Sequence, residues 1–202
     1  MSCIYCNHYI LYKLSDGNYK CARCKKKFSP KKIDRKAKIL QAFLKELTPT
    51  EIAKKYNFSY VSVVNEIKHI RLVMAKICEE KFLEKQNIQE FEEYLYIPNK
   101  NIYKSQNFLT IDYGYIYNIM LSDMKNYQNM SEKNIRNMFI QSRIIKYQNH
   151  IKIYQFWDYF ENFIKKFRGI SNDNFFYYLK ESEFRYNNFS INLSDLEYFR
   201  TR

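Results

Sequence analysis

Two Cys-x-x-Cys pairs, Cys3-Ile4-Tyr5-Cys6 and Cys21-Ala22-Arg23-Cys24, open the chain with 14 residues between them. Each pair makes a tight knuckle that aims two thiolates at one point, and four thiolates suit tetrahedral zinc at about 2.3 Å per bond. The insert carries Ser15-Asp16-Gly17-Asn18, a turn signal, between runs of Tyr, Ile and Leu. The pattern predicts a hairpin between two knuckles, a zinc ribbon over residues 1–30. Four cysteines fill every position of a tetrahedral ion, so Zn²⁺ on Cys3, Cys6, Cys21 and Cys24 would be structural. So small a segment buries too little apolar surface to fold alone. Metal binding would supply its folding free energy, on the order of 10 kcal/mol. Two disulfides are the competing use of these thiols. No signal peptide precedes them, and a reducing cytosol keeps thiols free.

Charge divides the chain unevenly. Residues 1–85 hold 19 Lys and Arg against 8 Asp and Glu, whereas residues 86–202 hold 15 against 13. The N-terminal part therefore faces a polyanion, and nucleic acid is the commonest partner for such a patch. A solvated basic face without a partner is the plainer alternative. Lys25-Lys26-Lys27 follows the second knuckle, with Lys31, Lys32 and Arg35 just beyond. These cations can displace phosphate counterions without reading sequence. Hydrophobic residues make up 46% of the chain and aromatics 18%, which excludes wholesale disorder. No apolar run approaches the roughly 20 residues that span a bilayer, so no membrane partner is expected.

Residues 31–85 read as a helix-turn-helix. Apolar residues at 33, 37, 40, 43, 44 and 47 predict a helix over 33–47. Thr48-Pro49-Thr50-Glu51 predicts a capped second helix running to 56, with Thr48 and Glu51 forming a capping box. Asn57-Phe58-Ser59 makes the turn, and a third helix runs over 60–85 with Val61, Val64, Ile67, Leu72 and Ala75 on its inner side. The last helix of such a motif enters the major groove by its N-terminal residues. Tyr60, Ser62, Val63, Asn65, Glu66 and His69 are expected to be exposed there, with Lys68 beside them, and Asn65 has the amide that pairs bidentately with adenine. A plain three-helix packing module is the alternative. Cys78 is expected in the core.

Beyond residue 86 the pattern predicts a strand over 90–97, ended by Pro98, and a hairpin of 107–111 and 115–121 around Asp112-Tyr113-Gly114. A helix capped by Ser131 follows, running to about 140, then a short strand over 143–147 and two helices over 151–167 and 173–186. Phe156, Trp157, Phe160, Phe163 and Phe167 recur at helical spacing, which marks core packing, with Phe175, Phe176, Tyr177 and Phe184 packed against them.

Phe156-Trp157-Asp158-Tyr159-Phe160, Phe167-Arg168-Gly169-Ile170-Ser171 and Glu183-Phe184-Arg185-Tyr186-Asn187, set behind a zinc ribbon and a helix-turn-helix, resemble the zinc-ribbon group of bacterial insertion-sequence transposases, relatives of the Merlin superfamily. The resemblance runs in order along nearly the whole chain but lacks a middle portion. It implies an α+β protein: zinc ribbon, helix-turn-helix, then a reduced RNase H-like α/β domain over 86–202 ending in aromatic-rich helices. It also implies an Asp-Asp-Glu trio holding two divalent metals. The first acid's place holds Glu92-Glu93-Tyr94, and a Glu for Asp moves the metal by about 1 Å, which can cost on the order of a hundredfold. The second acid's strand ends Ile145-Lys146-Tyr147-Gln148 with no carboxylate, and the third place is Tyr154.

The expectation is a double-stranded DNA-binding protein descended from such a transposase, without phosphodiester chemistry, acting as regulator, silencer of related elements or relic. Its C-terminal body would offer a dimerisation surface, and in a bacterial cell it would be cytoplasmic and nucleoid-associated. An active transposase holding Mg²⁺ on Glu92, Asp112, Asp158 and Glu161 is the alternative. A third reading makes the ribbon a protein-docking module.

Overall fold

The computed structural model describes residues 2–85, 87–98, 104–121, 131, 133–134, 151–167 and 169–198. Among them the protein is mixed α+β, with two antiparallel three-stranded sheets and six helices. It divides into two compact units, residues 1–73 with 190–202, and residues 74–189. The sequence suggested boundaries at 30 and 85. The division between the two units falls inside a helix, and the C-terminal tail, which carries a short helix the sequence reading did not foresee, groups with the first unit.

In the first unit, β1 (Leu11–Lys13), β2 (Tyr19–Cys21) and β3 (Lys27–Phe28) pair in that order. The hairpin turn closes through Leu14 N–H to Asn18 O at 2.8 Å, with Gly17 at φ 77°. Helix α1 spans Pro30–Leu44, starting three residues before the expected 33 and ending three before 47. Ser29 caps it and Pro30 takes the first position, the same Ser/Thr-Pro signal that starts α2 (Pro49–Tyr56) after Thr48. The capping box is present: Glu51 N–H donates to Thr48 Oγ1 at 3.3 Å, and Thr48 N–H to Glu51 Oε2 at 2.7 Å.

Only three glycines occur in the chain, so left-handed helix ends fall to other residues. After α1, Glu46 sits at φ 61° while Leu47 N–H reaches Ala42 O at 3.2 Å. After α2, Asn57 sits at φ 53° while Phe58 N–H reaches Ala53 O at 2.9 Å. Both are Schellman closures, which satisfy carbonyls the helix leaves open.

Helix α3 (Tyr60–Lys85) crosses from one unit to the other. Its inner side matches the expected one at Ile67 and Ala75, which are buried, but not at Val61, Val64 and Leu72. Val63, Ile67, Ile70, Val73, Met74 and Cys78 are buried, whereas Val61 is 65% exposed and Leu72 is exposed. Val63 and Glu66, expected at the surface, are buried. The apolar residues at 61 and 64 suggested an inner side rotated from the one that 63, 67, 70 and 74 define.

In the second unit, β4 (Glu90–Tyr96), β5 (Gln106–Asp112) and β6 (Ile116–Met120) form a sheet in that order. Helices α4 (Ile151–Ile164) and α5 (Asn172–Tyr186) belong to the same unit. Phe108, Ile116, Ile153, Phe156, Trp157, Phe160, Phe175 and Leu179 form the core, as the aromatic spacing predicts. From α5 it is Phe175, Leu179 and the half-buried Tyr178 and Tyr186 that pack there. Phe184 faces Phe189 instead, and Phe176 pairs with Tyr177. In the tail, α6 (Leu193–Tyr198) lies against α1 in the first unit. Ser131 does cap a turn, accepting Asn134 N–H at 3.3 Å, but the rest of that expected helix and the strand over 143–147 lie outside the described residues. No described helix is long and apolar enough to cross a membrane.

Phe160 is wholly buried and touches Tyr96, Phe108 and Phe175, with ring centroids 5.6 Å away for the first two and 5.7 Å for the third. Phe160→Ala should therefore destabilise the second unit by about 3–5 kcal/mol. The only tryptophan, Trp157, lies in that core, so its fluorescence during urea unfolding reads the change. Thr48→Ala should cost about 1 kcal/mol and leave the Trp157 transition in place.

Candidate metal centre and basic face

The two cysteine knuckles repeat one hydrogen-bond pattern. Cys3 N–H donates to His8 O at 2.8 Å and Asn7 N–H to Cys3 O at 2.8 Å. In the second knuckle, Cys21 N–H donates to Lys26 O and Lys25 N–H to Cys21 O, both at 3.1 Å. The residue after each second cysteine is left-handed, Asn7 at φ 55° and Lys25 at φ 59°. This repeated curl turns each pair of sulfurs inward, and β1 and β2 carry the two knuckles face to face.

The four sulfurs lie within 4.8 Å of one another and can hold a metal ion. Cys3 Sγ is 3.6 Å from Cys24 Sγ, and Cys6 Sγ is 3.6 Å from Cys21 Sγ. Tetrahedral bonds of about 2.3 Å put sulfurs about 3.8 Å apart, close to these two separations, so the donor set suits such an ion. Every cysteine is a free thiol, including the buried Cys78 outside the cluster.

Electrostatics inside the cluster differ from sulfur to sulfur. Burial pushes the Cys3 thiol up to about 12, and the thiols of Cys24 and Cys21 push the same way. Burial also acts to raise Cys21, but N–H donors of Cys24 and Arg23 and the Cys6 thiol draw it down to about 6. A bound cation would convert the thiols to thiolates, releasing their protons.

The predicted cations follow the second knuckle along the chain. Lys25, Lys26, Lys27, Lys31 and Lys32 are exposed and Arg35 is half-buried. Lys26 Nζ lies 4.9 Å from the Tyr5 ring centroid, so one cation of the group rests on the first knuckle. On α3, Tyr60, Asn65 and Lys68 are exposed and Ser62 is half-buried. Val61, Asn65, Lys68 and Leu72 fall at helical spacing and are all exposed, forming one stripe. His69 turns away from it, its Nε2 lying 3.0 Å from Leu196 O in α6. Sequence reasoning missed Val61 and misplaced His69 for the same reason, the rotated inner side of α3.

The carboxylates named for catalysis occupy four different settings. Glu92 is buried on β4, in register with Thr110 and, beyond it, Asn118. Trp157 Nε1 donates to Thr110 Oγ1 at 2.8 Å, which in turn donates to Asn118 Oδ1 at 2.7 Å. Asp112 accepts Gly114 N–H at 2.8 Å and Lys152 Nζ at 3.0 Å. Glu161 accepts the Tyr94 hydroxyl, while Asp158 is exposed. Tyr154 is an exposed residue of α4. Among the described residues no three carboxylates gather within reach of one ion.

A different acidic group lies deeper. Glu183 is wholly buried, and its Oε2 accepts Asn118 N–H at 2.8 Å and Lys180 Nζ at 3.0 Å. Lys180 Nζ also sits 3.6 Å from the Tyr117 ring centroid. Its satisfied bonds make it a pin between α5 and β6.

Comparison of the chain with protein-family models, with curated proteins and with solved structures gives no match.

The protein should bind one metal ion per chain, and Cys21→Ser should abolish stoichiometric binding, as read by metal analysis after gel filtration. Thiol titration gives an internal check. Chelation should expose four reactive thiols, and the fifth, Cys78 at 1% exposure, should react only on full unfolding.

Proposed function

We propose that this chain binds double-stranded DNA and that zinc holds its N-terminal segment as a ribbon. Zinc suits four thiolates in a closed tetrahedron better than hard cations, which prefer oxygen. On this reading α1, α2 and the first part of α3 form a helix-turn-helix. The exposed stripe of Val61, Asn65 and Lys68 at the start of α3 is the observation that carries it. An N-terminal stripe with an amide, an apolar side chain and a cation is the chemistry that reads base edges and grips phosphate. Lys25, Lys26, Lys27, Lys31, Lys32 and Arg35 add phosphate contacts from the same unit.

The second unit is read as the remnant of an RNase H-like transposase domain. Its antiparallel β4-β5-β6 sheet and aromatic α4 support that descent. The candidate acids are engaged in packing: Asp112 holds Lys152, Glu161 holds Tyr94, and Glu92 is buried. The protein then acts by occupying DNA, as a regulator or as a silencer of related elements. One observation favours an active Mg²⁺-dependent transposase instead. Glu92, at the place of the family's first acid, has a buried Oε2 with no partner among the described residues.

Duplex affinity should fall steeply with salt, with a log–log slope of about −0.9 for each phosphate neutralised. Replacing Lys25, Lys26 and Lys27 together by Ala should flatten that slope by about 3. Asn65→Ala should lower affinity for a selected site by about 1–3 kcal/mol and leave non-specific binding unchanged. Salt-independent binding would favour the protein-docking reading. Mg²⁺-dependent strand cleavage that Glu92→Gln abolishes would favour the transposase.

A further inference from the structure

The two faces of the β1-β2-β3 sheet differ in chemistry. Leu11, Tyr19, Cys21 and Phe28 turn to the small core beside the sulfurs. Successive strand residues point to opposite faces, so the register sets Tyr12, Lys20 and Lys27 in one row across the other face. Ile10 stands two residues before Tyr12, and its carbonyl accepts Ala22 N–H at 3.1 Å, which carries the ladder one step further. Tyr12 is 55% exposed and Ile10 43%. Lys27 is exposed and Lys20 half-buried. Among the described residues the Tyr12 ring stacks on no other ring and Lys20 meets no carboxylate. Residues 1–30 hold six Lys and Arg against a single acid, Asp16. Asp16 sits in the hairpin turn, where its carboxylate accepts Asn18 N–H at 3.0 Å and the Asn18 side-chain amide at 2.7 Å, and its field falls on Lys27 rather than Lys20.

A row of one ring and two cations narrows the partner. Its charges call for a polyanion. The exposed ring beside them calls for a planar group that can lie on it. In a duplex both faces of a base are already stacked on its neighbours, so no face is left for Tyr12. An unpaired strand offers a free base face and a charge at every nucleotide, and rings set in a basic surface are how such strands are held. A protein partner would need acids matched to Lys20 and Lys27 and an apolar pocket for Tyr12, whereas a phosphodiester chain repeats flat group and charge by itself. We infer that this face binds single-stranded DNA, with one base stacked on Tyr12 and the adjoining phosphates on Lys20 and Lys27. The single-strand half rests on the face alone, and the choice of DNA over RNA rests on the duplex-binding reading of the same unit.

The test uses the zinc-loaded full chain with a fluorescent deoxythymidine oligomer, the corresponding uridine oligomer and a blunt duplex. The wild-type protein should bind the deoxythymidine oligomer. Tyr12→Ala should weaken that binding about tenfold, the scale of one base stacked on an aromatic ring, and move duplex affinity by less than about twofold. Tyr12→Phe keeps the ring and should bind within about twofold of wild type. Lys20→Gln should flatten the single-strand salt slope by about 0.7. Irradiation of a 5-iodouracil-substituted deoxy oligomer on the wild-type protein should place the adduct on Tyr12, a readout independent of how any variant folds. Oligomer binding unchanged in Tyr12→Ala, with no Tyr12 adduct, would overturn the single-strand face and leave duplex binding standing. Tighter binding of the uridine oligomer would overturn DNA as the occupant. Single-strand binding lost in Tyr12→Ala, with no duplex binding at any salt, would uphold the face and overturn the duplex reading. Failure of all three ligands to bind would overturn both.

Discussion

Four sulfurs converge at the N-terminal segment, and little apolar burial surrounds them. The core around Cys3, Cys21 and Phe28 is small, and the strands beside it are two or three residues long. Such strands do not persist in water unless something joins their ends. Two knuckles with the same left-handed residue and the same hydrogen bonds aim the thiols at one point, and an ion there would join hairpin, β3 and the lead into α1. The basic residues that follow the second knuckle owe their arrangement to that joint. Lys25 is itself the left-handed residue of the knuckle, so the first of the three consecutive lysines and the sulfur cluster share one backbone turn.

The second unit is held in a different way. Its sheet and helices meet through stacked and edge-on rings, with Phe108, Phe160 and Phe175 in mutual contact. Within that apolar mass a polar row crosses all three strands at Glu92, Thr110 and Asn118. Trp157, Asn118, Glu183 and Lys180 satisfy one another along it. Such a row fixes the strand register, because a slip of one residue would strand every buried polar group. Its unmatched member is Glu92, the residue that stands where the resemblance puts a catalytic acid.

Much of this was legible in the sequence, and the reasons are local. The cysteine spacing foretold the sulfur cluster because a knuckle is set by neighbouring residues. Thr48, Pro49 and Glu51 foretold the start of α2 because capping is decided within one turn. The aromatic stripe of α4 foretold its buried side because four rings at helical spacing leave no other. What was misread depends on partners far along the chain. The inner side of α3 was read from Val61, Val64, Ile67, Leu72 and Ala75; Ile67 and Ala75 are buried, but the helix packs along Val63, Ile70 and Met74 rather than Val61 and Leu72. The tail helix that receives His69 is six residues long and has no periodicity to read. Lys36 sits among other basic residues, and only the packing of α1 shows it buried while Lys31 and Lys32 are exposed.

The account turns on the ion shaping the basic surface that meets DNA. Duplex affinity measured on one preparation, first loaded with zinc, then stripped by a chelator, then reloaded, tests this most directly. The account predicts salt-sensitive binding that weakens by at least about tenfold on stripping and returns with zinc, a loss of about 1.4 kcal/mol or more. Affinity unchanged by removal of the metal would contradict it.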